Sequence, residues 1–276
     1  MDLLHKFLNI VLLPITLTVL LLFMPPFLFL KFLWSLKRSI YRENVAAKVI
    51  LITGASSGIG EYVAYEYAKR GARLALVARR EDRLQAVADR ARKLGSPEVV
   101  VVRADVSKVE ECKQFVNEIV NYFGRLDHLV NNAGVSQICL FEVFTQFSDI
   151  ASIMASKAAL ISFFETLRTE FGQDIGITIV TPGIIESEMI QRFSQQNKKE
   201  MTQGEFFSEV QANWIPTETT EGCAKAILDS TCNGDMYLTE PSWMKAGFWV
   251  KTLCPEVFEW CVHSLFVIWP WTSKKD

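Results

Sequence analysis

The sequence predicts an α/β fold: a doubly wound parallel sheet, helices on both faces, set behind an N-terminal hydrophobic membrane anchor. Three observations carry this. A short apolar run, Lys48-Val49-Ile50-Leu51-Ile52, enters a glycine-rich turn, Thr53-Gly54-Ala55-Ser56-Ser57-Gly58-Ile59-Gly60, followed by a helical stretch over 61–71 closed by Gly71. From Lys48 onward, strand-like and helix-like segments alternate, as they do where crossover helices join parallel strands. Ahead of them, residues 7–30 hold no charged side chain.

The first strand is apolar throughout and so reads as buried on both faces. The turn after it aims backbone N–H groups at the start of a helix. An anionic diphosphate is stabilised there by unpaired donors and the helix dipole, without a basic side chain. Gly54 allows the tight turn, Gly58 removes a side chain where a pyrophosphate approaches, and Gly60 lets helix and strand pack closely. Ser56, Ser57 and Ile59 complete this candidate cofactor loop. No Gly-Lys-Ser/Thr follows it, which argues against a phosphate-loop nucleotidase.

Composition excludes other classes. The chain has 276 residues and a formal net charge of −2, which does not suggest nucleic acid as a partner. Six cysteines are scattered without metal-ligand spacing and the three histidines are isolated, so no metal site is expected.

The apolar run 7–30 is long enough to span a bilayer core. Pro14, Pro25 and Pro26 interrupt it, which leaves two readings: a kinked spanning helix, or a hairpin turning at the Pro-Pro pair and seated in a lipid-droplet monolayer. Lys31, Lys37, Arg38 and Arg42 follow it, so the positive-inside bias places the next domain in the cytosol. The expected organisation is an anchor over 1–42, an α/β domain over 43–241 and an aromatic-rich segment over 242–276.

In order after the glycine turn, strands are expected over 73–79, 98–105 and 126–134, with helices over 81–94 and 109–123 between them. In dinucleotide folds the end of the second strand distinguishes NAD from NADP: an acidic residue holds a free ribose hydroxyl, an arginine accommodates a 2′-phosphate. Here it reads Ala78-Arg79-Arg80, so Arg79 favours NADP(H) over a merely solvated basic pair.

The glycine turn, Asp105, Asn131-Asn132-Ala133-Gly134, Ala155-Ser156-Lys157-Ala158-Ala159 and Pro182-Gly183 together resemble the short-chain dehydrogenases/reductases over about residues 48–241. With its apolar, proline-broken N-terminus, the chain looks like the plant steroleosins, hydroxysteroid-dehydrogenase-like proteins of oil bodies. The resemblance implies a Rossmann-like fold, NADP(H), a sterol or other lipid alcohol or ketone as substrate, and a place at the lipid droplet or endoplasmic reticulum. It implies adenine contact for Asp105 and cofactor contacts for Asn132, Ala133 and Gly134. Lys157 would hold the nicotinamide ribose and favour ionisation of a catalytic tyrosine. Residues 182–187, with Pro182, Gly183 and Ser187, would cover the nicotinamide. It also implies a homodimer built on two helices of this region.

The sequence departs from that pattern at the chemistry. A tyrosine belongs one helical turn before Lys157, on the same face, but Ile153 stands there, and no tyrosine lies between Gly134 and Lys157. Those 22 intervening residues must also hold a helix, a strand ending in a catalytic serine, and a loop, although a strand–helix–strand unit takes about 30 residues or more. Ser136, Ser148 and Ser152 are substitutes for the serine, though each also reads as an ordinary loop or cap residue. The simplest account is an internal deletion that leaves the sheet one strand short.

Beyond it, a helix over 155–171 puts Lys157 in its first turn and presents Leu160, Phe163, Phe164, Leu167 and Phe171 toward a core. A strand over 175–181, a helix over 218–230 and a short strand over 236–238 follow. Residues 205–214 stand where the family places a substrate lid. After Pro241 come Trp243, Trp249, Trp260, Trp269 and Trp271, which suit either a second membrane contact or an ordinary packed helix.

Overall fold

A computed structural model describes residues 2–40, 42–134, 147–172, 174–183, 185–186 and 216–264. Two compact units divide the chain, Met1–Glu43 and Asn44–Asp276.

The first unit is one helix, α1 (Asp2–Ile40), of 39 residues with Pro14, Pro25 and Pro26 inside it. Of the two readings of the proline-broken run, the hairpin is not what forms. Each proline forgoes one backbone donor, and flanking turns carry the helix past it. Thr18 Oγ1 donates back to the Pro14 carbonyl at 2.7 Å. Within α1, Ile10–Leu33 is long and apolar enough to cross a membrane by length and composition. At 1.5 Å per residue it measures about 36 Å, against a hydrocarbon core of about 30 Å.

The second unit opens with a parallel sheet. Strands β1 (Val49–Thr53), β2 (Arg73–Ala78), β3 (Val99–Arg103) and β4 (His128–Val130) run in the order β3-β2-β1-β4. Each pair is parallel, with Leu51 beside Ala75 and Leu129. The helices between them are α2 (Gly58–Lys69), α3 (Glu81–Lys93) and α4 (Val109–Phe123). Alternate residues of β1 enter separate cores. Ile50 and Ile52 pack with Val63, Tyr67, Leu84 and Leu228, while Val49 and Leu51 pack with Phe115 and Ile119 of α4. The central strand is therefore covered on both faces, as its uninterrupted apolar run requires. Gly124, at φ +74°, caps α4 in the left-handed conformation, which glycine adopts without a Cβ penalty.

Among the described residues β4 has no second neighbour, and β5 (Ile179–Pro182) pairs only with β8 (Tyr237–Glu240). A third small ladder joins β6 (Ile185–Glu186) to β7 (Glu218–Thr219). Helix α5 (Phe147–Phe171) begins eight residues before the expected start. Lys157 therefore lies in its interior, a correction to the first-turn placement. No glycine or proline stands between 147 and 155 to stop the helix earlier.

A second correction concerns α5's apolar stripe. Phe164 and Leu167 are half-buried, but Leu160 is 43% and Phe163 58% exposed, and Phe171 is exposed as well. The half-buried positions among the described residues of α5 are Ile161, Phe164, Leu167 and Arg168, so only two of the five expected residues face inward. Among the described residues no strand pairs with β4 on the side of the sheet away from β1.

Helix α6 (Thr220–Asn233) packs on α2. Lys69 pairs with Glu221 at 3.0 Å and Arg70 with Asp229 at 2.7 Å. After β8 come α7 (Met244–Leu253) and α8 (Pro255–His263), packed on each other where Gly247 meets Phe258. The expected lid at 205–214, Ser136 and Ser187 lie outside the described residues, as do Trp269 and Trp271.

Candidate functional site

The glycine turn and the exit of β4 form one structure, tied by Thr53. Its buried hydroxyl donates to the Val130 carbonyl at 3.2 Å and accepts from the N–H groups of Asn132 and Ala133, both at 3.1 Å. The Asn132 amide answers by donating to the carbonyls of Thr53 and Gly54, at 3.1 and 3.3 Å. A Cβ on Gly54, whose φ is +67°, would come within 2.8 Å of the Ala133 Cα. A Cβ on Gly60 would lie 2.6 Å from the Gly54 carbonyl oxygen and run into the Asn132 side chain. Both positions therefore exclude side chains. The helix–strand packing expected of Gly60 is in fact packing onto the turn itself.

Gly58 differs from these two. Its φ is +62°, and a Cβ there would meet no heavy atom within 4 Å. The space above the loop is open at the point where a phosphate would approach. Ser57 is the N-cap of α2, yet its side chain caps no backbone N–H, so the leading donors of the helix remain to be satisfied. Open space, uncapped donors and the positive end of a helix together fit an anionic diphosphate. Ile59 packs against the core beside Val63 and holds the first turn of α2 in place.

The two arginines after β2 divide their work. Arg80 Nη2 donates to Ser56 Oγ at 3.1 Å and to Ser57 Oγ at 2.6 Å, so Arg80 is the residue that reaches the glycine loop. Arg79, expected to be the phosphate arm, lines a cavity of about 540 Å³ with Val102, Arg103, Asp105 and Lys108. The Asp105 carboxyl is held below its ordinary range, first by the Ser107 N–H that donates to it and, less strongly, by Arg79. Asp105 N–H donates to Glu111 at 2.7 Å, which braces the end of β3 against α4.

Lys157 does reach the β4 exit. Its Nζ lies 3.3 Å from where a Cβ on Gly134 would stand. The dinucleotide loop, Asn132 to Gly134 and Lys157 are thus gathered at the carboxyl ends of the parallel strands, where ligands of open α/β sheets bind. No tyrosine stands one helical turn before Lys157. Position 153, one turn before Lys157 on α5, is isoleucine. Of the five described tyrosines, the hydroxyl of Tyr65 is bonded to Glu61, that of Tyr67 to His128, that of Tyr122 to Glu98 and that of Tyr237 to Glu165, while Tyr62 on α2 sets its ring edge-on to Tyr65. Glu165 is eight residues beyond Lys157 along α5, about 12 Å at the helical rise, so Tyr237 serves a different end of that helix. There it anchors α5 together with Arg168, which stacks over the Tyr237 ring and donates to the Met236 carbonyl at 2.9 Å.

At the far side, Gly183 N–H donates to the Glu240 carbonyl at 2.6 Å, and a Cβ on Gly183 would strike Met244 Sδ. The turn at Pro182 and Gly183 is thereby fixed against the first turn of α7. Sequence reasoning missed two residues, Thr53 and Arg80. A threonine closing a buried strand, and the second member of an arginine pair, were the signals available.

The comparisons agree with this geometry. A short chain dehydrogenase family model matches residues 48–154. The chain is similar to 11-beta-hydroxysteroid dehydrogenase A of Arachis hypogaea, 45% identical over 320 residues that cover 100% of this chain and 92% of the relative. It is also similar to 11-beta-hydroxysteroid dehydrogenase 1A of Arabidopsis thaliana, 43% identical, covering 97% and 89% of the two chains. An alignment of 320 positions against a chain of 276 residues means that the peanut relative carries about 44 residues this chain lacks. A strand–helix–strand unit takes about 30 residues or more, so the deficit exceeds the length of one such unit. Among solved structures, L-sorbose reductase from Gluconobacter frateurii, complexed with NADPH and L-sorbose, superposes with a TM-score of 0.58 at 25% identity, covering 71% of this chain and 95% of that one. A parallel α/β sheet that opens on a glycine turn, with relatives 45% identical along the whole of this chain, makes it a member of the short-chain dehydrogenase/reductase family.

Proposed function

We propose that this chain is a membrane-anchored, NADP(H)-holding relative of the hydroxysteroid dehydrogenases in which turnover of a sterol or other lipid alcohol has been lost. The N–H groups leading α2 would receive the diphosphate over Gly58, flanked by Gly54, Ser56, Ser57, Ile59 and Gly60. Arg79 and Arg80 would meet the 2′-phosphate, and Asp105 the adenine. Asn132, Ala133, Gly134 and Lys157 would line the riboses, with Pro182 and Gly183 over the nicotinamide. Ser187 carries the same proposal from the resemblance alone. NADP(H), when bound, would supply or accept the hydride. What the chain itself must add is a group that holds and moves the substrate's proton.

One observation carries the reading: isoleucine at position 153, one turn before Lys157. An aliphatic side chain moves no proton. General acid–base catalysis contributes about 10²–10⁴-fold, and misplacement of the nicotinamide by the broken sheet adds to the loss. The expected result is calorimetric binding of NADPH with hydroxysteroid turnover at least about 100-fold below a full-length relative, and little rescue by Ile153→Tyr. Turnover equal to the relative's refutes the reading. Full rescue by tyrosine alone favours the second reading, an intact NADP-dependent hydroxysteroid dehydrogenase scaffold that retains Lys157 and lacks only its acid. The apolar span Ile10–Leu33, followed by basic residues, supports anchoring at the endoplasmic reticulum or lipid droplet with the domain toward the cytosol. The open apolar face of α5 would suit a homodimer.

A further inference from the structure

We infer that α7 and α8 form a second lipid-contacting surface, which docks on the neutral bilayer surface next to the turn at Pro182 and Gly183. The two helices pack on each other through Gly247 and Phe258 yet turn their largest apolar side chains outward. Trp249 is 66%, Trp260 68% and Leu253 73% exposed, and Trp243, Phe248 and Val257 are exposed with them. Soluble surfaces seldom gather so many large apolar groups on one element pair.

The residue types select the occupant. Tryptophan combines a broad apolar ring with one N–H donor, which suits the boundary between acyl chains and headgroups. Charge selects further. Lys245 and Lys251 on α7 are balanced by Glu256 and Glu259 on α8, so the surface has no attraction for an anionic partner and fits a zwitterionic lipid face. The chain also supplies its own bilayer on the anchored reading, on which this inference rests. Eight residues, 41–48, separate the end of α1 from β1 and reach at most about 28 Å. Such a tether raises the effective concentration of lipid at the domain far above that of any free partner. Met244, which opens α7, is the residue seated against Gly183. A lipid-soluble molecule leaving the acyl region beside α7 would therefore arrive at the turn that the family resemblance places over the nicotinamide.

The test uses the full chain in phosphatidylcholine nanodiscs containing brominated acyl chains, which quench tryptophan on contact. The signal read is the emission lost on replacing Trp249→Phe and Trp260→Phe together, with circular dichroism checking that both chains are folded. That difference emission should fall at least two-fold when brominated lipid replaces ordinary lipid, with or without one-third phosphatidylserine. Co-elution with discs but no quenching of the difference emission overturns the inference and leaves the anchor standing. Quenching that appears only with two chains per disc assigns the surface to a second copy and also overturns it. A chain that does not co-elute with discs overturns the anchored reading and this docking together.

Discussion

Replacing Thr53 with valine isolates the joint between the glycine turn and β4. The two side chains have nearly the same shape, so the change removes one hydroxyl and little packing. Three hydrogen bonds pass through that hydroxyl, one donated to Val130 and two accepted from Asn132 and Ala133. Their losses are unequal. Asn132 N–H keeps the Val130 carbonyl at 3.0 Å, and that carbonyl keeps Asn132. Ala133 N–H keeps no partner among the described residues. One stranded, half-buried donor costs about 1–3 kcal/mol, and the remaining bonds add a few tenths each, so about 2 kcal/mol is expected. For a unit of this size that lowers Tm by about 4–8 °C. The relaxed turn also carries Asn132 to Gly134 away from the loop, so NADPH should bind about 10-fold more weakly, equivalent to 1.4 kcal/mol. Thermal unfolding and calorimetry on detergent-purified chain measure both, with Thr53→Ser as the control that retains the hydroxyl. A valine variant within 1 °C of wild type and of equal NADPH affinity would refute the claim that Thr53 is the joint.

Three further predictions follow from the same geometry. NADP(H) should bind more tightly than NAD(H); Arg79→Asp and Arg80→Asp should each erase the preference, with Arg80→Asp the more damaging because it also releases Ser56 and Ser57, and equal wild-type affinities in calorimetry would count against this. The Asp105 carboxyl is held below its ordinary range by the Ser107 N–H, and that of Glu111 by Lys108 and then the Asp105 N–H; depressed carboxyls stabilise the fold above their unfolded values and release that stability as pH falls through the lowered ones, so amide protection at Asp105 and Ser107 should weaken in acid below the ordinary carboxylate range, and protection that does not change through a full acid titration of both carboxyls would dismiss it. Residues 1–42 fused to a fluorescent protein should reach the endoplasmic reticulum or lipid droplets, and a glycosylation acceptor placed after Arg42 should stay unmodified; diffuse cytosolic fluorescence would sink the anchor.

The parts of the fold that the sequence made legible are those where one residue type answers one backbone demand. Gly54 and Gly58 stand at positive φ, and Gly60 faces a carbonyl too close for any Cβ, so the loop could be read from its glycines. The bounds of α4 were legible because Gly124 ends it. Lys48-Val49-Ile50-Leu51-Ile52 announced a central strand because every position is apolar. The start of α5 was not legible, since nothing in 147–154 breaks a helix. Nor was the exposure of Leu160 and Phe163, because periodicity reports which side of a helix is apolar but not whether a partner exists. In the site, Asn132, Gly134 and Lys157 were found through a pattern spread along the chain. Arg80 was passed over because an arginine's target is set by side-chain reach rather than by strand order.

The break between β4 and β5 has a consequence for how the domain opens. In an unbroken sheet, backbone ladders couple every strand to the next, and the whole unfolds together. Here the β1–β4 block and the β5–β8 block are joined across side chains, chiefly where α6 lies on α2 with Arg70 on Asp229 and Lys69 on Glu221. Side-chain seams yield at lower free energy than strand ladders. One hydrophobic core that includes Ile50, Leu228 and Leu238 still spans both blocks, so the difference is one of degree: in native-state hydrogen exchange the amides of β8 and α6 should open at lower free energy than those of β1 and β2.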